Sequence, residues 1–456
     1  MSPKSLLEPI LENGVKTTHF FEGRLLSGKD LQDQQAADRT RRRQLGRAVG
    51  AGVVEGLEVE VKSDGSDGSP PVLQVKKGLA ISARGELLEL PQKEDIRLTR
   101  SLQATPGAEA LFRDCLQPST AGIPNGAGVY LLVMSSAAGF RERAPKSGLG
   151  DEGIVKGCGS RYVVEGVQFR LVELDPSVLD SISADTRDNL LAGDLLSPAN
   201  PAALSETDRL SKLRNVLAHL CFGTEILRRF AADPLALETG ESAYTHYSAV
   251  DDLHRLELLN GCDVPLALFY WTLDGIAFLD LWSVRRRPYE LSPSAQWPTL
   301  ISPRRRAEAE AMFLQFQDQI EQMIQQADSP SAPPAIEAVQ YFLYLPPAGI
   351  VPLTGIGEAQ GFDYLRFFNN LALRNPVFIE GQSVAPLLKR SFDYLPIRID
   401  GQELLWLYIV RENMQRLSIP KSKSHPYMIF ANANMPYLGN ARFNIHRWDN
   451  SNYAEI

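Results

Sequence analysis

A long polar segment near the N-terminus constrains this chain more than any other feature. Residues 30–45 contain neither proline nor glycine, and Ser27 stands three positions before Asp30, which is the spacing of a helix capping box. Apolar side chains are few within this predicted helix: Leu31, Ala36, Ala37 and Leu45. A helix with so narrow an apolar stripe is marginal in water on its own. We therefore expect it to pack on other copies of the chain or on other proteins.

The residues around this helix are of the types that protein interfaces use. Aromatic and leucine side chains precede it, and arginines on the helix could pair bidentately with the carboxylates of a partner. We predict seven partner-binding residues: Phe20, Phe21, Leu25, Leu26, Arg39, Arg42 and Arg43. For the arginines the alternative is a solvated helix face, because consecutive positions 41–43 fan around most of a helical turn.

Four glycines follow the helix and are predicted to end it: Gly46, Gly50, Gly52 and Gly56. Glycines at this density also occur in loops that bind nucleotides, because they let backbone amides approach phosphate. A dinucleotide-binding loop, however, needs a strand before the glycines and a helix after them, and here the order is reversed. The sequence therefore favours a structural turn that enters a strand at residues 57–61.

The chain length of 456 residues suggests two to four domains. Sequence patterns divide it into an N-terminal arm with the polar helix (1–56), a β-rich domain (57–200), a middle domain of a helix plus a β-hairpin (201–328), and a C-terminal α+β domain (335–456). The predicted fold class is α+β and multidomain, with small β-domains joined by amphipathic helices.

Turn residues and apolar periodicity predict individual strands, loops and helices within these segments. In the β-rich domain, residues 63–71 and 83–85 are predicted to connect strands, and the glycine-rich stretch 139–159 is a candidate contact loop. In the middle domain, a helix beginning near Ser205 keeps an apolar period as far as Phe230.

Two further elements complete the middle domain. Residues 264–287 are predicted to form an apolar hairpin that turns at Asp274 and Gly275, with Phe269 and Trp271 on its buried face. Residues 303–328 form the third predicted helix, which should pack against a β layer or a partner helix. Its apolar stripe is Met312, Phe313, Phe316, Ile320, Met323 and Ile324.

No motif assigns a catalytic, metal-binding or cofactor-binding role to any residue. The four cysteines are far apart, which favours neither a metal finger nor a disulfide scaffold and is typical of a reducing compartment. His219 and Cys221 could be drawn as a nucleophile pair, but residues two apart on a helix point in different directions. The adjacent carboxylates Asp251 and Asp252 do not preset a glycosidase separation. We expect a protein that is not an enzyme.

Net charge and hydropathy limit the classes of partner that the chain is expected to bind. The net charge of -8 argues against nucleic acid, so local arginine clusters, including 285–287 and 304–306, are expected to lie at element ends with potential for salt bridges between subunits. No apolar run approaches 18 residues and no leader is evident, which predicts no membrane span and a cytoplasmic protein.

The segment from His19 to Val59 resembles the N-terminal segment of structural proteins of phage-tail-like contractile injection systems. The matching positions are Phe21, Gly23, Leu25, Leu26, Asp30, Leu31, Arg42, Arg43, Gly50, Gly52, Val53, Val54, Gly56 and Leu57. Three later patches are also similar to such proteins: the arginine run that ends the 264–287 hairpin, the turn at 345–349, and the strand 404–411 with the Glu412 and Asn413 that follow it.

This resemblance implies a non-enzymatic structural component that docks through its N-terminal arm at the baseplate or at a terminal adaptor position. Its partners would be other particle subunits, namely sheath, tube, baseplate or cap proteins, and the chain would form a homo-oligomer within a particle assembled in the cytoplasm. The alternative is a receptor- or carbohydrate-binding module of such a particle, which would present aromatic side chains on one rigid face.

Overall fold

The computed structural model describes residues 14–98, 128–145, 158–175, 206–232, 247–289, 302–326, 336–353, 361–369, 371–401, 403–419 and 423–436. The helices in these residues are α1 (Gly28–Val49), α2 (Glu206–Cys221), α3 (Thr224–Ala232), α4 (Ala249–Arg255), α5 (Pro303–Gln326), α6 (Ala338–Tyr341), α7 (Tyr364–Phe367), α8 (Val384–Ser391) and α9 (Arg411–Leu417).

The strands of the described residues fall into several small sheets. They are β1 (Gly52–Gly56), β2 (Val59–Ser63), β3 (Val72–Val75), β4 (Gly78–Ile81), β5 (Leu87–Leu90), β6 (Glu94–Arg97), β7 (Gly128–Pro145), β8 (Cys158–Glu173), β9 (Val264–Thr272), β10 (Gly275–Asp280), β11 (Tyr344–Leu345), β12 (Ala348–Pro352), β13 (Ala372–Leu373), β14 (Val377–Ile379), β15 (Ile397–Arg398), β16 (Leu404–Val410) and β17 (Tyr427–Asn432). The predicted multidomain α+β class is confirmed.

A four-stranded antiparallel sheet in the order β10-β9-β7-β8 is the central layer of the first part of the chain. Two three-stranded sheets, β1-β4-β5 and β2-β3-β6, cover one of its faces and share a core with it. Helices α2 and α4 cover the other face. Both faces are therefore buried, which explains why β7 and β9 are apolar along most of their length.

The central four-stranded sheet contains strands from two of the predicted domains. Strand β9 pairs directly with β7, with Tyr130 opposite Phe269, so residues 57–200 and 201–328 contribute to one sheet. Likewise Val53 on β1 is buried in the same core and does not belong to a separate arm. The pairing of strands distant in sequence leaves no local pattern, so the sequence alone does not show that these segments share a sheet.

The predicted connections within the β-rich part are confirmed, with one correction. Antiparallel β2 and β3 are joined across residues 63–71, and β4 and β5 across 83–85. The stretch 139–159, however, is not simply a loop. Residues 139–145 continue β7, and Cys158 and Gly159 begin β8, with Gly139 opposite Val164. These residues extend the antiparallel ladder of β7 and β8.

Two predicted helices also differ from the structure. Helix α1 passes through Gly46 and ends at Val49, where the Gly50 N–H donates to the Gly46 carbonyl at 3.0 Å. The apolar stripe that ends at Phe230 belongs to two helices, because Gly223 breaks it with a φ of +65°. A Cβ at Gly223 would lie 2.3 Å from the Tyr247 ring, so the close approach there requires glycine. Ser205 lies outside the described residues.

The C-terminal part is built on a mixed sheet in the order β12-β17-β16-β13, with β14 also parallel to β16. Helix α5 packs on one face, as predicted for its apolar stripe, and α8 covers the other. Buried aromatic rings fill the first interface: Phe316, Phe342, Phe367, Phe368 and Phe430. Because α5 also contacts α2, it joins this sheet to the central layer.

Candidate docking surface

The segment in front of α1 folds back on the start of the helix. The Thr18 hydroxyl donates to the Asp30 carbonyl at 2.9 Å, and the Arg24 guanidinium pairs with the Asp30 carboxylate at 2.5 Å. Ser27 forms the predicted capping box with Asp30. Hydrogen bonds from Ser27, together with the Arg24 charge, lower the pKa of Asp30. The capping box and these contacts give the arm a defined shape before any partner binds.

The apolar side chains of this arm face solvent. Leu25 is 93% exposed and Phe21 is 60% exposed. The other exposed apolar residues of the arm and of α1 are Phe20, Leu26, Leu31, Leu45 and Val49. Within α1 only Ala37 and Gly46 are buried. We define the docking arm as residues 18–49, a folded segment that presents apolar surface with nothing in the described residues covering it.

The C-terminal half of α1 is fixed to the β-rich part. The Arg43 guanidinium pairs with the Glu86 carboxylate, which is 6% exposed. Glu86 also accepts from the Ser136 hydroxyl at 2.7 Å, and its N–H donates to the Ser82 hydroxyl at 3.1 Å. A buried carboxylate needs such partners, because an uncompensated charge is costly to bury. Arg43 is thus committed within the chain.

The other predicted partner-binding arginines differ from one another. Arg39 lies 3.3 Å from Glu165 on β8, in a pair that is partly exposed at both ends. Exposed pairs of this kind contribute little, so the Arg39 charge can exchange to a partner. Arg42 is exposed. All seven predicted residues thus have side chains that reach solvent, but Arg43, although 37% exposed, is paired with Glu86 and holds the helix in place.

A close contact between two glycine backbones fixes the position of α1. A Cβ on Gly46 would lie 2.2 Å from the Gly85 carbonyl oxygen, and a Cβ on Gly85 would lie 2.0 Å from the Arg43 carbonyl oxygen. Gly85 also has a φ of +81°. No side chain fits between the helix and this turn. Sequence analysis treated Gly46 only as a helix breaker and missed this packing role.

We expect Gly46→Ala to displace α1 from the Gly85 turn. The added methyl group meets the Gly85 backbone, which cannot move aside as a flexible side chain could. Overpacking of this kind costs about 1–3 kcal/mol. Proteolysis at Arg41 and Arg42, compared with the wild-type chain, measures the release of the helix. Gly28→Ala is the matched control, since a Cβ there meets no atom within 4 Å. Equal protection of the two variants would contradict a packing role for Gly46.

The two later arginine runs are mostly interior. Arg285 donates to the Leu57 carbonyl at 3.0 Å and Arg304 holds both oxygens of the Asp251 carboxylate at 2.8 and 2.9 Å. Burial disfavours the charged form of Asp251, but Arg304 and several hydrogen bonds outweigh it and lower its pKa. These arginines tie distant segments of one chain together. The sequence led us to expect that these arginines form salt bridges between subunits. Four of them instead make contacts within the chain: Arg285, Arg286, Arg304 and Arg305.

The conceivable nucleophile pair is chemically inert in this environment. His219 accepts from or donates to the Thr224 hydroxyl at 2.8 Å and stacks on Tyr344. Burial lowers the pKa of His219 to about 3 and raises the pKa of the Cys221 thiol to about 12. The histidine is therefore neutral and the thiol protonated at neutral pH, as expected for packing residues. Asp251 and Asp252 are both bound to arginines within the chain.

The hairpin aromatics do not form one exposed face. Phe269 is fully buried, Trp271 is half-buried against Tyr130, and Trp282 lies beneath the Arg285 guanidinium. Next to the hairpin turn is a cavity of about 400 Å³ lined by residues that include Tyr270, Thr272 and Asp274. Among the described residues that line it, Tyr270 alone is aromatic, which is little for a carbohydrate site.

Further features of the described residues, and comparisons with known proteins, complete the description of the site. In the described part of the chain, no cluster of three or more histidine, cysteine or acidic residues could hold a metal ion, and no helix has the length and hydropathy to cross a membrane. Cys262 is disulfide-bonded, which the spacing of the cysteines did not predict. The sequence was also compared with known protein families, and no family model matches it. No curated protein matches it either.

Proposed function

We propose that this chain is a non-enzymatic structural component of a contractile injection or phage-tail-like particle. It docks through its N-terminal arm at the baseplate or at a terminal adaptor position, next to sheath, tube, baseplate or cap subunits. The resemblance of residues 19–59 to such proteins supplies the type of particle. The exposed apolar surface of the docking arm supplies the mode of action, and this one observation carries the proposal.

The arm suits docking because its order does not depend on the partner. Disordered segments lose conformational entropy when they bind, whereas this arm is held by the capping box at one end and by Arg43 and Gly46 at the other. Large apolar side chains in a fixed arrangement are typical of the anchors that dominate interface energy. The arginines at 41 and 42 would complement an acidic rim on the partner.

The alternative, a receptor- or carbohydrate-binding module of the same particle, would use the cavity beside Tyr270. The described residues that line this cavity include one aromatic ring, and none of them belongs to the docking arm. Glycan binding that falls on Tyr270→Ala, with unchanged folding, would favour this alternative over a purely structural role.

The proposal is tested by replacing four arm anchors together: Phe20→Ser, Phe21→Ser, Leu25→Ser and Leu26→Ser. These side chains are exposed, so the melting temperature should stay near that of the wild-type chain. We expect incorporation into particles to fall at least about tenfold, since several anchors are lost at once. Quantitative mass spectrometry of particles purified from the producing strain measures the occupancy.

Three exposed apolar residues away from the arm supply the matched control: Leu273→Ser, Leu365→Ser and Ile419→Ser. This variant loses comparable surface hydrophobicity and should assemble normally. Wild-type occupancy of the arm variant would contradict docking through the arm. We chose substitution over deletion of residues 1–45, because deletion removes Arg43 and leaves buried Glu86 without its cation.

A further inference from the structure

The hairpin of β7 and β8 extends beyond the sheet that supports it. Strand β9 pairs with β7 only as far as Met134, opposite Val264, whereas β7 pairs with β8 as far as Pro145, opposite Cys158. The distal part is therefore a two-stranded ribbon. Two strands alone are marginally stable in water unless another surface covers them.

The ribbon carries exposed apolar side chains on both faces. Phe140 and Val163 lie opposite each other and are 44% and 39% exposed. On the other face, Tyr162 and Val164 are 48% and 51% exposed. Residues 160–166 of β8 are all exposed, and in the described residues β8 pairs with β7 alone. One edge of β8 is thus open to strand addition.

The sequence of this edge is complementary to itself in the antiparallel direction. If two copies of β8 pair about a two-fold axis at Val163, Arg161 of each copy lies directly opposite Glu165 of the other. Tyr162 then lies opposite Val164. Every directly opposed pair from 161 to 165 is thus either opposite in charge or apolar, which are the pairs that stabilise antiparallel strands.

The present partners of the two charged residues do not oppose this arrangement. Arg161 lies 3.4 Å from Glu142 and Glu165 lies 3.3 Å from Arg39, and the Arg161 and Glu165 side chains are more than half exposed. Solvent-exposed pairs of this length are weak and can be exchanged for contacts across an interface.

We propose that the outer edge of β8, residues 160–166, pairs antiparallel with the same edge of a second copy of this chain. The two ribbons then form one continuous four-stranded sheet across a two-fold axis at Val163. The edge meets the docking arm at the pair of Arg39 with Glu165. The four arm substitutions leave that pair unchanged, so the dimer and the proposed function can each fail without the other.

Charge reversal tests the register. Arg161→Glu places two carboxylates opposite each other, and the two-fold axis repeats this contact, so we expect the dimer dissociation constant to rise at least about tenfold. Glu165→Arg should do the same. The double variant Arg161→Glu with Glu165→Arg restores opposite charges between copies and should restore the wild-type constant. Sedimentation equilibrium of the full chain measures all four proteins.

The double variant separates the dimer contact from the contacts within one chain. In it, the carboxylate introduced at position 161 would still face Glu142, and the guanidinium introduced at position 165 would still face Arg39. If the single substitutions acted only through contacts within one chain, their effects on the dissociation constant would therefore add in the double variant, and the wild-type value would not return. Lys76→Glu reverses an exposed charge that lies one residue beyond the end of β3 and pairs with Glu60. It is the matched control and should leave the dissociation constant unchanged.

Disulfide trapping gives a second, independent measurement. At a two-fold axis the two Val163 Cα atoms would lie about 4.5–5.5 Å apart, within the range of a disulfide. Val163→Cys should therefore cross-link under mild oxidation and Val164→Cys should not, because its counterpart lies diagonally at about 7–8 Å. A monomeric wild-type chain at high concentration, single variants that dimerise normally, or equal cross-linking of the two cysteines would each overturn the proposal.

Discussion

Asp280→Ala is expected to lower the free energy of unfolding by about 3–5 kcal/mol, because it leaves the Arg214 guanidinium buried without its main counter-charge. Arg214 and Asp280 have side chains that are 3% and 0% exposed, and the Arg214 Nε donates to the Asp280 carboxylate at 2.5 Å. A buried cation that loses its partner keeps the full cost of its lost hydration.

The pair joins three elements that are distant in sequence. Asp280 ends β10, Arg214 lies in the middle of α2, and Gln315 of α5 donates to the same carboxylate at 3.2 Å. The Ser283 N–H donates to it at 2.8 Å. Removing the carboxylate therefore loosens the contact of two helices with the central sheet, and the loss should appear as a lower midpoint in urea unfolding.

Asp318→Ala is the matched control, because Asp318 binds the same guanidinium at 2.6 Å but is 38% exposed. We expect a cost within about 1 kcal/mol, since water can replace a partly exposed carboxylate. The double variant Arg214→Met with Asp280→Leu removes both charges and should recover much of the lost stability. Equal costs for Asp280→Ala and Asp318→Ala would contradict a buried counter-ion role.

The same pair predicts a pH dependence. Burial alone would raise the pKa of Asp280, but the Arg214 charge and the hydrogen bonds outweigh it and lower the pKa below its ordinary value. A carboxylate with a lowered pKa stabilises the fold above the unfolded pKa of about 3.9, and this contribution is lost as the pH falls through the folded pKa. Stability should therefore decline less steeply below about pH 4 in Asp280→Ala than in the wild-type chain.

Local patterns in the sequence were sufficient to predict individual helices and hairpins. The capping box at Ser27 and Asp30 starts α1, the turn at Asp274 and Gly275 joins β9 to β10, and the apolar stripe of α5 packs on a sheet. In each case the information lies within a few turns of helix or one hairpin. Backbone geometry and side-chain periodicity over that range depend on neighbouring residues alone.

The pairing of strands that are distant in sequence could not be predicted from these local patterns. Nothing local shows that β9 joins β7, so the central sheet was divided between two predicted domains. The sequence also gives no sign that Gln315 and Gln319 of α5 are buried and hydrogen-bonded to Asp280 and Ser211. A polar residue in a helix is ordinarily exposed, and only the partners on another element show otherwise.

The candidate site was predictable to a similar extent. The exposed anchors of the docking arm follow from a helix with too little apolar surface to fold on its own. The commitment of Arg43 to Glu86, 43 positions away, and the contact between Gly46 and Gly85 depend on the fold of the β-rich part. The exposure of this apolar segment was therefore predictable, its role in docking stays a prediction, and the contacts that fix it depend on residues distant in sequence.

Phe269→Ala is expected to destabilise the central sheet by about 3–5 kcal/mol, the cost of removing a fully buried aromatic side chain. Phe269 is 0% exposed, lies on β9 between Tyr130 of β7 and Leu279 of β10, and its ring centroid is 5.8 Å from that of Tyr130. The two small sheets close over this position, so the structure cannot easily collapse into the cavity that the substitution leaves.

Trp271 provides the matched comparison, because it lies two residues along β9 on the same face but is only half-buried. Its ring keeps part of its surface in water, so Trp271→Ala loses less apolar burial and should cost about half as much. Thermal unfolding of both variants, followed by circular dichroism, measures the difference. If Trp271→Ala destabilised the chain as much as Phe269→Ala, the end of the hairpin would be covered by more of the protein than the described residues show, and Phe269 would not be the anchor of this core.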